Sequence, residues 1–241
     1  MNRKILLLTL LLPLLVTLAA GLAYAVLSLP EQPQQLPKLV INNMNESGVS
    51  HPVTAVLLNF RGYDTLLELV VLLLALLAVW SLNLPAAEPR STPNRVLDTL
   101  THLLTPLLIL ITAYLLWIGA HAPGGAFQAG SVLAAAAVLL MLAGWRIPAK
   151  LIGLPLRIIL ITGPAMFIII AVRTLLFDGQ LLKYPPAQAG LFIAIIETVA
   201  TLSIAATLAA LFLGTRPIAI NKKAADKKNI EQASDNGSEH K

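Results

Sequence analysis

Cysteine is absent from the 241 residues, and only 12% of them are charged. The first absence excludes a disulfide framework, a thiolate metal site and a cysteine nucleophile. The second separates the chain from soluble domains, in which about 25% of residues are charged. Catalytic signatures are missing as well. The four histidines form no H-x-E or H-E-x-x-H pattern, and neither a Walker loop nor a Rossmann glycine fingerprint occurs. No metal site, cofactor or catalytic residue is therefore expected, and the chain reads as no enzyme by itself. What is present is apolar: 57% of residues are hydrophobic, and the mean hydropathy is +0.79.

Six apolar runs carry that hydrophobicity, roughly 5–27, 66–82, 103–119, 130–145, 154–177 and 190–214, the fourth being the shortest. Each is near the length of about 17 to 25 residues that crosses a hydrocarbon core about 30 Å thick. The expected fold is all-α, a polytopic membrane protein with about six transmembrane helices. Its orientation follows from lysine and arginine, which favour the cytoplasmic side. With the amino terminus inside, the cytoplasmic segments hold Arg3, Lys4, Arg90, Arg95, Arg146, Lys150, Arg157, Arg216, Lys222, Lys223, Lys227, Lys228 and Lys241, against Lys38, Arg61 and Lys183 outside. Both termini are then cytoplasmic. The formal net charge of +5 reflects this sorting, and no nucleic-acid partner is expected.

The expected organisation is a two-helix hairpin with an external loop (residues 1–90), a four-helix membrane domain (91–216) and a disordered charged cytoplasmic tail (217–241). Residues 29–52, rich in proline, glutamine and asparagine, read as the external loop. Arg3, Lys4, the first apolar run and Ala23-Tyr24-Ala25 also resemble a secretory signal with an A-x-A site. The run is longer than an h-region of about 7 to 15 residues, which favours a retained anchor.

Between the third and fourth runs lies His-Ala-Pro-Gly-Gly-Ala-Phe-Gln-Ala-Gly, His121 to Gly130. Pro123 cannot continue a helix, and Gly124 and Gly125 permit positive φ. Irregular backbone at membrane depth needs protein or water to satisfy it, which marks the stretch as a partner contact or the wall of a hydrated pocket. His121 reads either as a hydrogen-bonding anchor or as a proton shuttle.

Five ionisable groups in or beside the spans stand out: Arg61, Asp64, Glu68, Arg173 and Glu197. Such groups need a partner, water or a capping role. Arg173 and Glu197 fall in antiparallel spans at similar expected depth, which suggests either an ion pair locking the hairpin or a proton or ion relay. Thr65 and Glu68 have capping-box spacing, and Asp64 suits a helix amino terminus. Ion handling and subunit contact are the alternatives for Glu68, and Arg61 can pair with either acid. Asp98 and His102 read as interfacial, His51 and His240 as loop and tail residues.

The segment Leu104-Thr105-Pro106-Leu107-Leu108-Ile109-Leu110, Tyr114, His121 and Pro123-Gly124-Gly125-Ala126-Phe127-Gln128-Ala129-Gly130 resembles the MnhB (MrpB) family, small subunits of Mrp-type multi-subunit sodium/proton antiporters. The likeness runs from about Arg95 to Gly214, with Ala126 in place of the usual third glycine of a PGGGFQ-like signature. A second stretch, Val56 to Thr65 followed by Glu68, is similar within 53–83 to the carboxy-terminal region of the large Mrp A subunit and to a small subunit of membrane-bound hydrogenases. Those proteins carry an F-R-G-x-D-T-x-x-E pattern; Asn59 stands where they commonly have aspartate.

The resemblance implies an accessory membrane subunit of a sodium/proton antiporter complex in a bacterial inner membrane. Other subunits and the lipid bilayer would be its partners, with Na+ and H+ the transported ions. It also allows a membrane-arm subunit of a hydrogenase or other redox-driven complex, whose metal clusters would lie in other subunits, or a structural scaffold. Glu197, Arg173, Glu68, Asp64, Arg61 and His121 are the candidate ion-translocation or coupling residues, and Pro123, Gly124, Gly125, Phe127, Gln128 and Gly130 the motif loop.

Overall fold

The computed structural model describes residues 3–28, 35–82, 95–145, 148–179 and 181–214, and every regular element among them is helical. The expected tail, 217–241, and the flanking residues Arg90, Arg146 and Arg216 lie outside the described residues. The chain divides into two compact units, Met1–Ile41 and Asn42–Lys241. The first holds α1 (Arg3–Leu27), whose residues 11–27 are exposed, and the start of α2 (Gln35–Ser47). The expected external loop is thus helical over 35–47, with only Ser47 buried.

In the second unit α3 (Pro52–Ala55) runs into a π-helical turn, Val56–Phe60, and then into α4 (Gly62–Ser81). The others are α5 (Arg95–Ile118), α6 (Ala126–Leu142), α7 (Leu154–Asp178) and α8 (Pro186–Leu213), with a short 3-10 turn at Ala149–Leu151. Proline lies at the start of α3, α7 and α8, where its missing N–H costs no hydrogen bond. Among the described residues, four helices are long and apolar enough to cross a membrane: α4, α5, α7 and α8. The apolar helical stretches Leu11–Leu27 and Ala126–Leu142 are shorter.

Helix α8 is the axis of this unit. It packs against α4, α5, α6 and α7, and 56% of its apolar window is buried, against 11% for α5 at the periphery. Small residues allow the approach. Ala200, Ala205, Ala209 and Ala210 on α8 are buried, as are Ala129, Gly130, Ala134 and Ala136 on α6. Where lipid tails are as apolar as leucine, close van der Waals contact and interhelical hydrogen bonds hold helices together. Ser203 supplies one such bond, donating its hydroxyl to the Leu160 carbonyl of α7 at 2.7 Å. Phe167, Ile193, Ile196 and Ile204 fill the core beside it. The broad outer faces of α4, α5 and α7 remain apolar and exposed, as a surface made for lipid or neighbouring helices requires.

Candidate functional site

The Pro-Gly-Gly stretch divides in two. Residues 119–125 form the loop, and Ala126 already begins α6, with Gly125 as its cap residue. The carbonyls that α5 frees at this end find donors. Gly125 N–H donates to Leu115 O at 3.0 Å, and His121 and Ala122 N–H donate to Ile118 O at 2.8 and 2.9 Å. Thr54 Oγ1 donates to Gly119 O at 2.5 Å, while the Ser50 and His51 amides donate to Ala120 O, each at 3.1 Å. The break is thus an ordered seam between residues 50–54 and the end of α5, as backbone outside water demands.

Glu197 lies against this seam. It is 4% exposed, on the face of α8 that meets the start of α6, and the Ala126 N–H donates to its carboxylate. A Cβ placed on Gly125 would come within 2.8 Å of Glu197 Oε1, and one on Gly119 within 3.3 Å. Gly125 also has φ 106° and ψ −173°, a region essentially reserved for glycine. The motif therefore serves a steric purpose: its glycines clear the space that the carboxylate occupies, and the amino-terminal end of α6 presents an amide to it. That arrangement suits an anionic group at a helix start. Chemically, it is a single buried carboxylate able to hold a proton or a cation.

The expected Arg173–Glu197 pair does not form. Arg173 donates from Nη2 to Gln188 Oε1 at 2.9 Å, and its guanidinium lies 4.5 Å from the Phe192 ring centroid. Arg173 is five residues from the end of α7, whereas Glu197 is eleven from the start of α8. Glu197 is deeper by six residues, roughly 9 Å at 1.5 Å per residue; Gln188 is the residue near the arginine's level. The Arg173→Gln and Glu197→Gln changes are expected to alter thermal stability additively to within about 0.5 kcal/mol. A larger coupling in the double variant, measured by unfolding in detergent, would restore the pair.

The capping box is corrected too. Helix α4 starts at Gly62, three residues before Thr65, and its cap residue, Arg61, makes no side-chain cap bond. Thr65 instead donates its hydroxyl to Leu57 O at 2.6 Å, across the π-helical turn. Glu68 is exposed on the outer face of α4, and Asp64 takes Arg61 as its ion-pair partner, both side chains being exposed. Asp98 and His102 approach to 3.7 Å near the start of α5. Of the loop residues, His121 and Pro123 are exposed, Phe127 packs on the core, and Gly130 is buried against Ile204.

The structure thus brings Glu197, Gly125 and the start of α6 together, and leaves Arg173, Glu68 and the Arg61–Asp64 pair as separate features. Sequence reasoning missed His51, Thr54 and Gly119, whose part depends on contacts about seventy residues apart in the chain. It also passed over Tyr184, between α7 and α8, which is 2% exposed with a hydroxyl lacking a partner. Burial raises the Tyr184 pKa above its ordinary value, so it stays a neutral phenol. No group of three metal-ligating side chains occurs among the described residues.

These features define an all-helical, multi-pass membrane protein with a buried carboxylate cradled by a broken helix connection. Residues 96–219, about half of the chain, match the model of a domain related to the MnhB subunit of Na+/H+ antiporter, and the chain belongs to that family. Residues 6–96 match a second family model, that of the MbhE subunit of MBH. Among solved structures, the chain is similar to one in the membrane-bound sulfane sulfur reductase, an archaeal respiratory membrane complex. The TM-score is 0.65 and the identity 24%, over 89% of this chain and 98% of that one. It is also similar to a chain of the Mrp complex from Dietzia sp. DQ12-45-1b, with TM-score 0.61 and 22% identity over 90% of this chain and 26% of that one. At these identities the likeness is one of fold. No curated protein matches the chain.

Proposed function

We propose that this chain is a membrane subunit of a multi-subunit cation/proton antiporter-type complex, with Glu197 in its glycine cradle as the ion-handling group. The observation that carries the site assignment is the carboxylate itself. A glutamate nearly excluded from solvent inside a membrane-spanning helix, set against a conformationally restricted loop, is costly to keep without use. Family membership supplies the kind of complex. The other subunits of that complex are the partners, and their helices and lipid cover the exposed apolar faces.

In finer detail the chain has six spans with both termini cytoplasmic in a bacterial inner membrane, α1 and the 17-residue α6 being the two additional spans. Support comes from the distribution of lysine and arginine, dense in the segments that flank α1, α5 and α7 on one side. The two matches, meeting at residue 96, support a joining of two subunit types in one chain near that point. The transported ions are Na+ and H+. Deleting the gene is expected to abolish sodium-dependent proton movement in inverted membrane vesicles, and the intact chain to restore it. Undiminished exchange in the deletion would overturn the reading.

A redox-driven complex is the second reading, favoured by the MbhE match and by the respiratory neighbour. Its metal clusters would lie in other subunits, because this chain has no cysteine ligands. Iron and nickel co-purifying in stoichiometric amount with the tagged chain would select it over the antiporter.

A further inference from the structure

We propose that His51 is a proton-transfer residue that feeds Glu197 past the Gly119–Ala120 segment, an inference that rests on the ion-handling role of Glu197. The ring of His51 is half-buried, and its Nδ1 is buried with no hydrogen-bond partner in the protein. A buried polar nitrogen without a protein partner calls for water beside it. The backbone places the residue itself beside the loop. His51 N–H holds Ala120 O at 3.1 Å, Thr54 one turn on holds Gly119 O, and Gly119 is the residue whose Cβ position lies 3.3 Å from Glu197 Oε1. His51 and Glu197 therefore both abut one short piece of loop with little side chain of its own.

Imidazole suits transfer between such places, because one ring nitrogen can accept a proton while the other releases one. A proton taken up at Nε2 leaves from Nδ1 to a bridging water, which in the same exchange gives a proton to the Glu197 carboxylate. Return of the ring to its starting tautomer completes the step with one proton delivered. Of the elements meeting here, α3 carries no ionisable side chain, the loop carries the exposed His121, and α8 contributes Glu197. His121 is thus the competing donor that a test must separate.

The test uses the assembled complex in proteoliposomes, with proton uptake driven by a sodium gradient and read by a pH-sensitive dye. His51→Ala and His51→Gln are expected to slow uptake on the order of 10- to 100-fold, with subunit composition intact, and added imidazole to restore much of the rate to His51→Ala. His121→Ala is expected to leave the rate near that of the unmodified complex. The proposal is overturned if both His51 variants transport normally, if the loss resists imidazole, or if the imidazole-rescued loss appears in His121→Ala instead. Should Glu197→Gln also transport normally, the underlying reading fails with it; a normal His51 variant beside an inactive Glu197→Gln removes His51 alone.

Discussion

Replacing Gly125 by alanine is expected to destabilise the protein by about 1 to 3 kcal/mol from backbone conformation alone. The residue sits at φ 106° with an extended ψ, where a Cβ is poorly tolerated. The added methyl group also enters the space of the carboxylate, 2.8 Å from Glu197 Oε1. Because that oxygen ends a flexible side chain, the glutamate will shift, and its bond from the Ala126 amide will weaken. The variant should therefore lose both thermal stability in detergent and ion exchange in the complex. Gly21→Ala is the control: nothing lies within 4 Å of a Cβ there, so unfolding should change little or improve slightly. Equal unfolding temperatures for Gly125→Ala and the unmodified protein would contradict the cradle.

The second large effect is expected at Gly130→Val, which acts on packing. A Cβ at Gly130 falls 2.8 Å from Ile204 Cγ2, 2.9 Å from Ile204 Cβ and 3.1 Å from the Thr201 carbonyl oxygen. The last two cannot retreat without moving α8, the helix that every other long helix of its unit touches. Overpacking of a tight core costs about 1 to 3 kcal/mol, sometimes more, and valine adds two further methyl groups beyond the clashing Cβ. The expected outcome is little folded protein in the membrane and a broken α6–α8 seam. Gel filtration of the detergent-solubilised variant checks this, and a monodisperse, normally stable protein would show the seam to be looser than described.

Much of this architecture was legible in the sequence because hydropathy reports span length directly. Except for α7, the helices nevertheless begin earlier than the apolar runs. Helix α5 starts at Arg95 and α8 at Pro186, since polar first turns at a membrane boundary are helical without being apolar. The break at Pro123 to Gly125 was readable from residue type, and the glycines signalled close approach without naming what approaches. Glu197 was readable as a costly group, but its neighbour was not. A depth count from the apolar run overlooks that α8 begins at Pro186, which sets Glu197 deeper than Arg173; Arg173 accordingly meets Gln188 and Phe192. The T-x-x-E spacing at Thr65 was true to the sequence and wrong in register, because the π-helical turn before Gly62 moves the helix start three residues upstream. His51 carried no signal beyond its identity, because its contact to Ala120 joins residues about seventy apart in the chain.

Placing the carboxylate, the glycine loop and the seam to residues 50–54 in one assembly makes Glu197 the centre of the account. The most direct measurement is sodium-driven proton exchange by the reconstituted complex carrying Glu197→Gln, with Glu197→Asp beside it. The glutamine keeps the size and hydrogen-bonding shape while removing the charge, so a merely structural role would survive it. Exchange is predicted to fall at least about tenfold in Glu197→Gln and to be partly retained in Glu197→Asp, with all subunits present in both. Unchanged exchange in Glu197→Gln would contradict the account.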